Sequence, residues 1–423
     1  MLKDAQGLDV STVSELAIAA IDIYIEQCLC YGNQAESSIL AAVNAEPHCI
    51  LANTYAAAYY LSQENVADAQ EAVSYLHRAR NYFTHANERE KLHFLATEAW
   101  ANKRIDRAIA YCEEIVARYP QDLLAVQQGQ YHYFYQGDKS GLTCIAGTVL
   151  NANAGNHYLM GMLAFGLEQS DRLAEAERLA RFALEINRAD PWAQHAVAHV
   201  METQGRYREG IAWMESFADT WGNCNSMLYT HNWWHVALFY LADGEISKVL
   251  SIYDIHVWGK ADKTSAKDQV GAISLLMRLE LVGIDVGDRW QDLSFYLRDR
   301  VHEHALPFQD LHYVYALARA DYLHLVTEML VSMTKYSQKV PTCLQKTWQD
   351  VALPAARGVI AHSIYDWRKT VKELKPIIHR LSEIGGSNAQ RKLFEQIYED
   401  ANQKLAIQIT SRSHLDYPHA IAS

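Results

Sequence analysis

The chain has 423 residues, half of them apolar, and a formal net charge of −12. Such a chain can bury a large core, which excludes a disordered protein. Because no block of clustered Lys and Arg is present, the acidic balance argues against nucleic acid as a partner and against docking on an anionic membrane.

The seven cysteines are scattered along the chain, and no Cys-x-x-Cys pair occurs among them. This pattern is typical of a reduced cytosolic protein and not of a disulfide framework or a zinc ribbon. The first residues also lack the long apolar stretch of a signal peptide. We therefore expect a cytoplasmic protein.

In chain order, the predicted elements are helices. Residues 16–30 are apolar but include Asp22 and Glu26, which favours an amphipathic first helix over a membrane span. Turn residues at 44–47, 119–122 and 243–245 separate further helical stretches. No sustained period-two alternation indicates a strand.

An internal repeat is visible between residues 176 and 217. A helix is expected to end near Asn187, and the next to begin at Asp190-Pro191, with Asp as N-cap and Pro in the first turn. Asp122 occupies an equivalent turn 68 residues earlier, which is two periods of about 34 residues. The sequence thus predicts an all-α, tetratricopeptide-type helical-hairpin solenoid curled around a central groove.

We expect three regions along this solenoid. Helical repeats fill residues 1–258, and a polar stretch at 259–268 marks a linker. Residues 259–408 are predicted to form C-terminal helical repeats that pack back on the groove. Residues 409–423 are predicted to be a polar tail.

Two histidine pairs are the main candidates for chemistry. His195, His199 and Glu202 follow spacings of four and three, which place them on one helix face. His231 and His235 repeat the spacing of four on a later helix. Both are expected to be first helices of successive hairpins, so the two pairs should face the same groove.

Such a convergence suits a metal ion or an acid–base site. All four histidines are candidate metal ligands, possible partners of a divalent cation. With Glu202 they are also the candidate catalytic residues. The alternative interpretation is that the histidines pack in a structural polar core.

Further polar residues are candidate ligand-binding positions. Asn232 and Trp234 lie between the histidines of the second pair, and Gly385–Arg391 is a glycine-bearing turn that opens a helix, with Ser387 as its expected N-cap. The full set comprises Asn232, Trp234, Asp254, His256, Asp310, His312, Asn388, Gln390 and Arg391.

These blocks together resemble the tetratricopeptide repeat protein 38 family. The resembling segments are residues 192–205, 231–238, 253–256, 274–279, 286–292, 308–312 and 385–391, within a likeness that spans roughly 15–405. The resemblance implies an all-helical repeat fold around an interior groove, with the polar residues above at its signature positions. It supplies no chemistry.

This chain departs from the family pattern at three positions. Gly271 and Lys392 stand where an acid is expected, and Gln309 stands where an Asn is expected. Loss of acids near a polar site weakens the transfer of a shared activity and suggests an altered pocket.

Two functions remain open. The first is a concave pocket that binds a small polar molecule and transforms it by hydrolysis, elimination or isomerisation through its histidines. The predicted inner helices carry no dense Lys/Asn stripe, which favours this function. The second is a scaffold that binds a peptide segment of a protein partner in the groove. The sequence contains no Gly-x-Ser-x-Gly elbow, so it does not single out a Ser–His–Asp site.

Overall fold

A computed structural model describes residues 1–415 of the chain. Helices dominate this part, which confirms the predicted all-α, tetratricopeptide-type solenoid. Two short strands at the N-terminus, β1 (Leu2–Lys3) and β2 (Asp9–Val10), pair antiparallel. Within the described residues, every helix is too short or too polar to cross a membrane.

The described chain divides into two compact units, and the first covers Met1–Leu275. Its helices form antiparallel hairpins that pack in chain order. They are α1 (Glu15–Leu29), α2 (Ala35–Ala45), α3 (Ile50–Leu61), α4 (Val66–Asn81), α5 (Glu88–Ala101), α6 (Ile105–Arg118), α7 (Leu123–Gln136), α8 (Lys139–Thr148), α9 (His157–Gln169), α10 (Leu173–Ile186), α11 (Pro191–Thr203), α12 (Tyr207–Glu215), α13 (Ser226–Ala242), α14 (Ile246–Ile252) and α15 (Ala266–Leu281), the last of which continues into the second unit.

The second unit begins at Leu276. After the end of α15, its helices are α16 (Arg289–Phe295), α17 (Pro307–Arg319), α18 (Leu323–Ser337), α19 (Thr342–Thr347), α20 (Leu353–Ser363), α21 (Trp367–Leu374) and α22 (Asn388–Leu415).

Regularly spaced N-caps set the repeat of the first unit. The first helices of five successive hairpins start after Asn87, Asp122, Asn156, Asp190 and Asn225, at intervals of 35, 34, 34 and 35 residues. Each side chain accepts a hydrogen bond from a backbone N–H two or three residues further on, which satisfies a donor that the helix itself cannot. The predicted cap at Asp190, the turn at 119–122 and the period are confirmed.

The boundary between the units differs from the predicted one at 258/259. It falls at Leu275/Leu276, inside α15. The start of α15 belongs to the first unit because Thr230 of α13 donates a hydrogen bond to Asp268 (2.8 Å), and Trp234 of α13 donates one to Ser274 (2.8 Å). The polar stretch at 259–268 is therefore a turn within this unit and not a linker between domains.

The predicted polar tail also needs correction in its first part. Helix α22 continues to Leu415, so residues 409–415 are helical. Good helix formers such as Lys404, Leu405 and Ala406 carry the helix past the predicted end. Residues 416–423 lie outside the described residues, and the packing of the C-terminal helices back on the groove stays a prediction.

A buried ion network joins the first hairpins. The guanidinium of Arg89 on α5 bonds to Asp122 (2.7 Å) and to Asp4 (2.8 Å), and His93 also contacts the Asp122 carboxylate (2.7 Å). Burial opposes ionisation of Asp122, but His93 and Arg89 hold the pKa of this carboxyl well below its usual value. Asp122 therefore acts both as the cap of α7 and as the counter-ion of Arg89.

We predict that Asp122→Asn lowers the free energy of unfolding by about 3–5 kcal/mol, because it leaves the buried Arg89 charge short of a partner. Urea denaturation of the purified protein measures this. Asp138→Asn is the matched control, since Asp138 caps α8 from an exposed position and should cost about 1 kcal/mol or less. Equal losses in the two variants would contradict the role of the ion network.

Candidate functional site

The candidate site lies where helices α11 and α13 of the first unit meet. His195 and His199 lie on one face of α11, and His231 and His235 lie on one face of α13. One ligand nitrogen from each imidazole falls within 4.8 Å of the other three. The structure thus brings the two predicted pairs together, with α12 between them in sequence.

His195 is the centre of this four-histidine cluster. Its Nε2 lies 3.0 Å from Nε2 of His199 and 3.1 Å from Nε2 of His231. An imidazole nitrogen carries either one proton or one in-plane lone pair, so it makes one well-directed hydrogen bond. His195 Nε2 cannot satisfy both close neighbours in this way. A cation between the nitrogens, by contrast, would accept a lone pair from each.

Burial keeps these imidazoles neutral. His195, His199 and His235 are buried, and His231 is half-buried. Loss of solvation, reinforced by the neighbouring imidazoles, holds the pKa of His195, His199 and His231 well below the ordinary value. The neutral form is the one that binds a metal, so the lone pairs are available at neutral pH without prior loss of a proton.

Two carboxyl groups flank the cluster. Glu202 is predicted to share a face of α11 with His199, and its Oε2 lies 3.1 Å from Nδ1 of His235 on α13. Glu168, on α9, lies 3.6 Å from His199 Nδ1 and is fully buried. Burial raises the pKa of Glu168 to about 7. Glu202, on the far nitrogen of His235, is placed to orient that ring and fix its tautomer, whereas Glu168 is too distant to bond to His199.

Sequence reasoning missed Glu168, although a signal for it exists. Glu168 precedes Glu202 by 34 residues, so the two acids occupy the same position in successive repeats. Scanning the repeat register for polar residues would have found it.

Aromatic rings enclose the cluster. Trp192 stacks on His195 at 4.6 Å between ring centroids, and Trp234 stacks on His231 at 5.2 Å. Phe165 of α9 meets the edge of His199 at 5.5 Å. Trp234, a predicted ligand-binding residue, therefore holds a histidine ring in place while its indole N–H is bound to Ser274.

The other predicted residues of the first unit have surroundings of their own. Asn232 is buried on α13, and neither atom of its amide has a hydrogen-bond partner. His256 stacks on Trp233 at 3.8 Å and contacts the hydroxyl of Tyr229 at 2.8 Å. Asp254 is exposed in the π-helical turn Tyr253–Val257.

A groove of about 780 Å³ lies between α8, α9 and α10, with Leu163 and Phe182 in its wall, and none of the four histidines lines it.

In the second unit, the predicted residues form two separate arrangements. Asp310 pairs with His304 at 2.6 Å. His312, two residues further on, bonds instead to the carbonyl of Phe308 at 2.7 Å, and its Nε2 is buried without a partner. Burial lowers the pKa of His312 to about 4.

The Gly385–Arg391 turn packs against Phe308. A Cβ on Gly386 (φ +86°) would meet that ring at 2.7 Å, so this position requires glycine. Ser387 caps α22 as predicted: its hydroxyl accepts from the Gln390 N–H, and its own N–H donates to the side-chain oxygen of Gln390. Arg391 bonds to Asn388 at 2.8 Å. The turn is thus tied together by its own side chains.

The departures from the family pattern have different surroundings. Gln309 is buried next to Asp310 in sequence, and the Gly271 carbonyl accepts a hydrogen bond from Ser274. Lys392 is exposed, and Gly271 has open space around its Cα.

Comparison with known proteins does not assign this chain to a family. No family model matches the chain, so the resemblance to the tetratricopeptide repeat protein 38 family stays a prediction. Among solved structures, a human IFIT1 dimer with m7Gppp-AAAA is similar at 14% identity, with 94% of this chain and 96% of that chain covered and a TM-score of 0.41.

Two further structures show the same general likeness. A human IFIT1 dimer with PPP-AAAA is 14% identical, with 95% of this chain and 96% of that chain covered and a TM-score of 0.40. The P58(IPK) TPR domain is 11% identical, with 82% of this chain and 99% of that chain covered and a TM-score of 0.20.

The prediction that nucleic acid is not a partner, which is based on the net charge, is wrong. Two of these similar helical-repeat structures contain the oligonucleotides m7Gppp-AAAA and PPP-AAAA. Net charge averages over the whole surface and does not report the charge of one local face. At these identities and TM-scores, the likeness says nothing of this chain's own partners. Its helical hairpins, which repeat every 34 or 35 residues, make it an all-α protein of the tetratricopeptide-repeat type.

Proposed function

We propose that this chain is a metal-binding protein in which His195, His199, His231 and His235 hold a divalent first-row transition metal ion. The observation that carries this proposal is the convergence of four imidazole nitrogens within 4.8 Å of one another. Imidazole is a preferred ligand of zinc, copper, iron and nickel ions.

The spacing of the nitrogens supports an ion of this size. Ligand nitrogens about 2.0–2.1 Å from a tetrahedral ion lie about 3.3 Å apart. The two Nε2 separations around His195, 3.0 and 3.1 Å, are close to that value. The nitrogens, which lie within 4.8 Å of one another, would draw together around the ion.

We further propose that the bound ion serves the binding and transformation of a small polar molecule. Such an ion would polarise a carbonyl or activate water by taking that group as a fifth ligand beside the four imidazoles. Glu202 would orient His235, and the buried Glu168, whose pKa is raised to about 7, could accept or return a proton near neutral pH. Access would come past His231, the one half-buried ligand.

The peptide-scaffold alternative has less support from this site. A surface that binds a peptide segment needs accessible side chains, whereas three of the four histidines are buried. A structural polar core remains the competing account, and metal binding separates the two.

We predict that the purified protein, stripped with a chelator and dialysed, binds one equivalent of Zn²⁺ or Co²⁺. His195→Gln should weaken binding by more than the roughly 10- to 100-fold that loss of an outer carboxylate partner costs, and Glu202→Gln should fall within that range. Isothermal titration gives the affinities, and plasma mass spectrometry gives the metal content of the native protein.

His132→Gln is the matched control for this titration. His132 is a buried histidine of α7 that packs against Trp100, away from the cluster. It should bind metal as the wild type does. Equal binding by wild type and His195→Gln, or no binding by either, would reject the metal site.

The neutral imidazoles also predict a dependence of stability on pH. The folded state keeps them neutral, whereas the unfolded chain takes up protons as the pH falls below about 6.5. The metal-free protein should therefore lose stability between pH 7 and pH 5. His195→Gln should remove up to about 1.4 kcal/mol per pH unit from that slope.

Urea denaturation at several pH values measures this slope. Phe165→Leu is the control, because it disturbs the same packing without removing a titrating group. It should lower stability at every pH and leave the slope unchanged. A His195→Gln slope equal to that of the wild type would count against the buried, neutral state of the cluster.

A further inference from the structure

A second arrangement of polar residues lies in the second unit, and the metal site does not involve it. His304 Nδ1 is 2.6 Å from Oδ2 of Asp310, and His304 Nε2 is 2.7 Å from the hydroxyl oxygen of Ser332. Acid, imidazole and hydroxyl thus form a continuous line of two short contacts. This order of groups is the one that activates a serine hydroxyl as a nucleophile.

Each member comes from a different element. Asp310 lies in the first turn of α17, Ser332 lies on α18, and His304 lies in the loop that joins α17 to the preceding turn Arg298–Arg300. His304 has φ +47°, a left-handed backbone conformation that is uncommon for residues other than glycine. This conformation places its ring between the other two residues.

The hydrogen-bond geometry determines where the protons lie. The carboxylate of Asp310 accepts the proton on Nδ1 of His304, and the neutral ring then has its lone pair on Nε2. That lone pair accepts the hydroxyl proton of Ser332. Since His304 and Asp310 are buried, both contacts are shielded from competing water.

The environment of Ser332 is open on one side. Its hydroxyl is half-buried and also lies 3.0 Å from Nδ1 of His302, whose side chain is 63% exposed and pairs with Glu328 at 2.9 Å. A substrate can therefore approach the hydroxyl from solvent.

Aromatic rings close the other side. Tyr336 and Trp348 lie 5.2 and 6.1 Å from the His304 ring centroid, and they pack against each other at 4.9 Å. These rings hold the imidazole in its position.

We propose that Ser332, His304 and Asp310 form a hydrolytic triad that cleaves carboxylic esters. Ser332 is the nucleophile, His304 is the general base and then the general acid, and Asp310 is the positioning residue. The proposal is independent of the metal site, whose ligands lie on α11 and α13.

The reaction balances with water as the only co-reactant. The Ser332 oxygen bonds to the ester carbonyl carbon while its proton passes to His304 Nε2. The ester C–O bond then breaks, and the leaving alcohol takes that proton. Water next gives its proton to His304, attacks the acyl carbon and releases the acid, and His304 returns the proton to Ser332.

A fluorophosphonate probe tests the proposal on the full chain. We expect one covalent adduct per chain, mapped to Ser332 by peptide mass spectrometry, together with hydrolysis of p-nitrophenyl acetate that the adduct abolishes. Ser332→Ala should lose both, and His304→Gln should slow labelling by roughly 100-fold or more.

Thr334→Ala is the matched control, since Thr334 presents an exposed hydroxyl on the same helix, bonded to the carbonyl of Leu330. It should label as the wild type does. Circular dichroism and urea denaturation confirm that each variant is folded. Absence of an adduct on folded wild-type protein, or labelling of Ser332 at an equal rate in folded His304→Gln, would overturn the triad.

Discussion

The spacing of helix N-caps is the constraint on which the first unit depends. Each Asn or Asp cap starts a first helix 34 or 35 residues after the preceding one, and the second helix of each hairpin then packs antiparallel to it. Because Asp190 and Asn225 start α11 and α13 in this register, the two histidine faces meet side by side. The same register places Glu168 and Glu202 at equivalent positions near the rings.

Burial of four imidazoles in one place lowers the stability of the folded state but favours the binding of a cation. Neutral rings with close nitrogens cannot all be well hydrogen-bonded to one another. At low pH the unfolded chain binds protons that the buried rings do not bind, so acid favours unfolding. Stacking by Trp192 and Trp234 holds the rings in spite of this cost. A bound cation would convert the unfavourable contacts into coordinate bonds, which is why a metal accounts for the cluster better than packing does.

Much of the fold and part of the site could be predicted from the sequence. The cap at Asp190-Pro191 and the spacing to Asp122 gave the repeat, because N-capping and a fixed period act locally. The histidine pairs could be joined because hairpin succession determines which helices are neighbours. Asp122 also has a role that its local sequence does not show, since its partner Arg89 comes from the preceding hairpin.

The rest required three-dimensional structure. The end of the first unit within α15 depends on long-range contacts from Thr230 and Trp234 of α13. The Asp310–His304–Ser332 line joins residues from a loop and two helices, and the left-handed backbone of His304 cannot be read from its neighbours in sequence. Net charge was a poor guide to partners because it contains no information on where charges lie.

X-ray absorption at the zinc edge of the zinc-loaded protein tests the central claim most directly. Our account predicts a first shell of four nitrogen ligands at about 2.0–2.1 Å, with the outer scattering of imidazole rings, that is lost in His195→Gln. A shell of oxygen or sulfur ligands, or an unchanged spectrum in that variant, would show that zinc binds elsewhere and would contradict the four-histidine site.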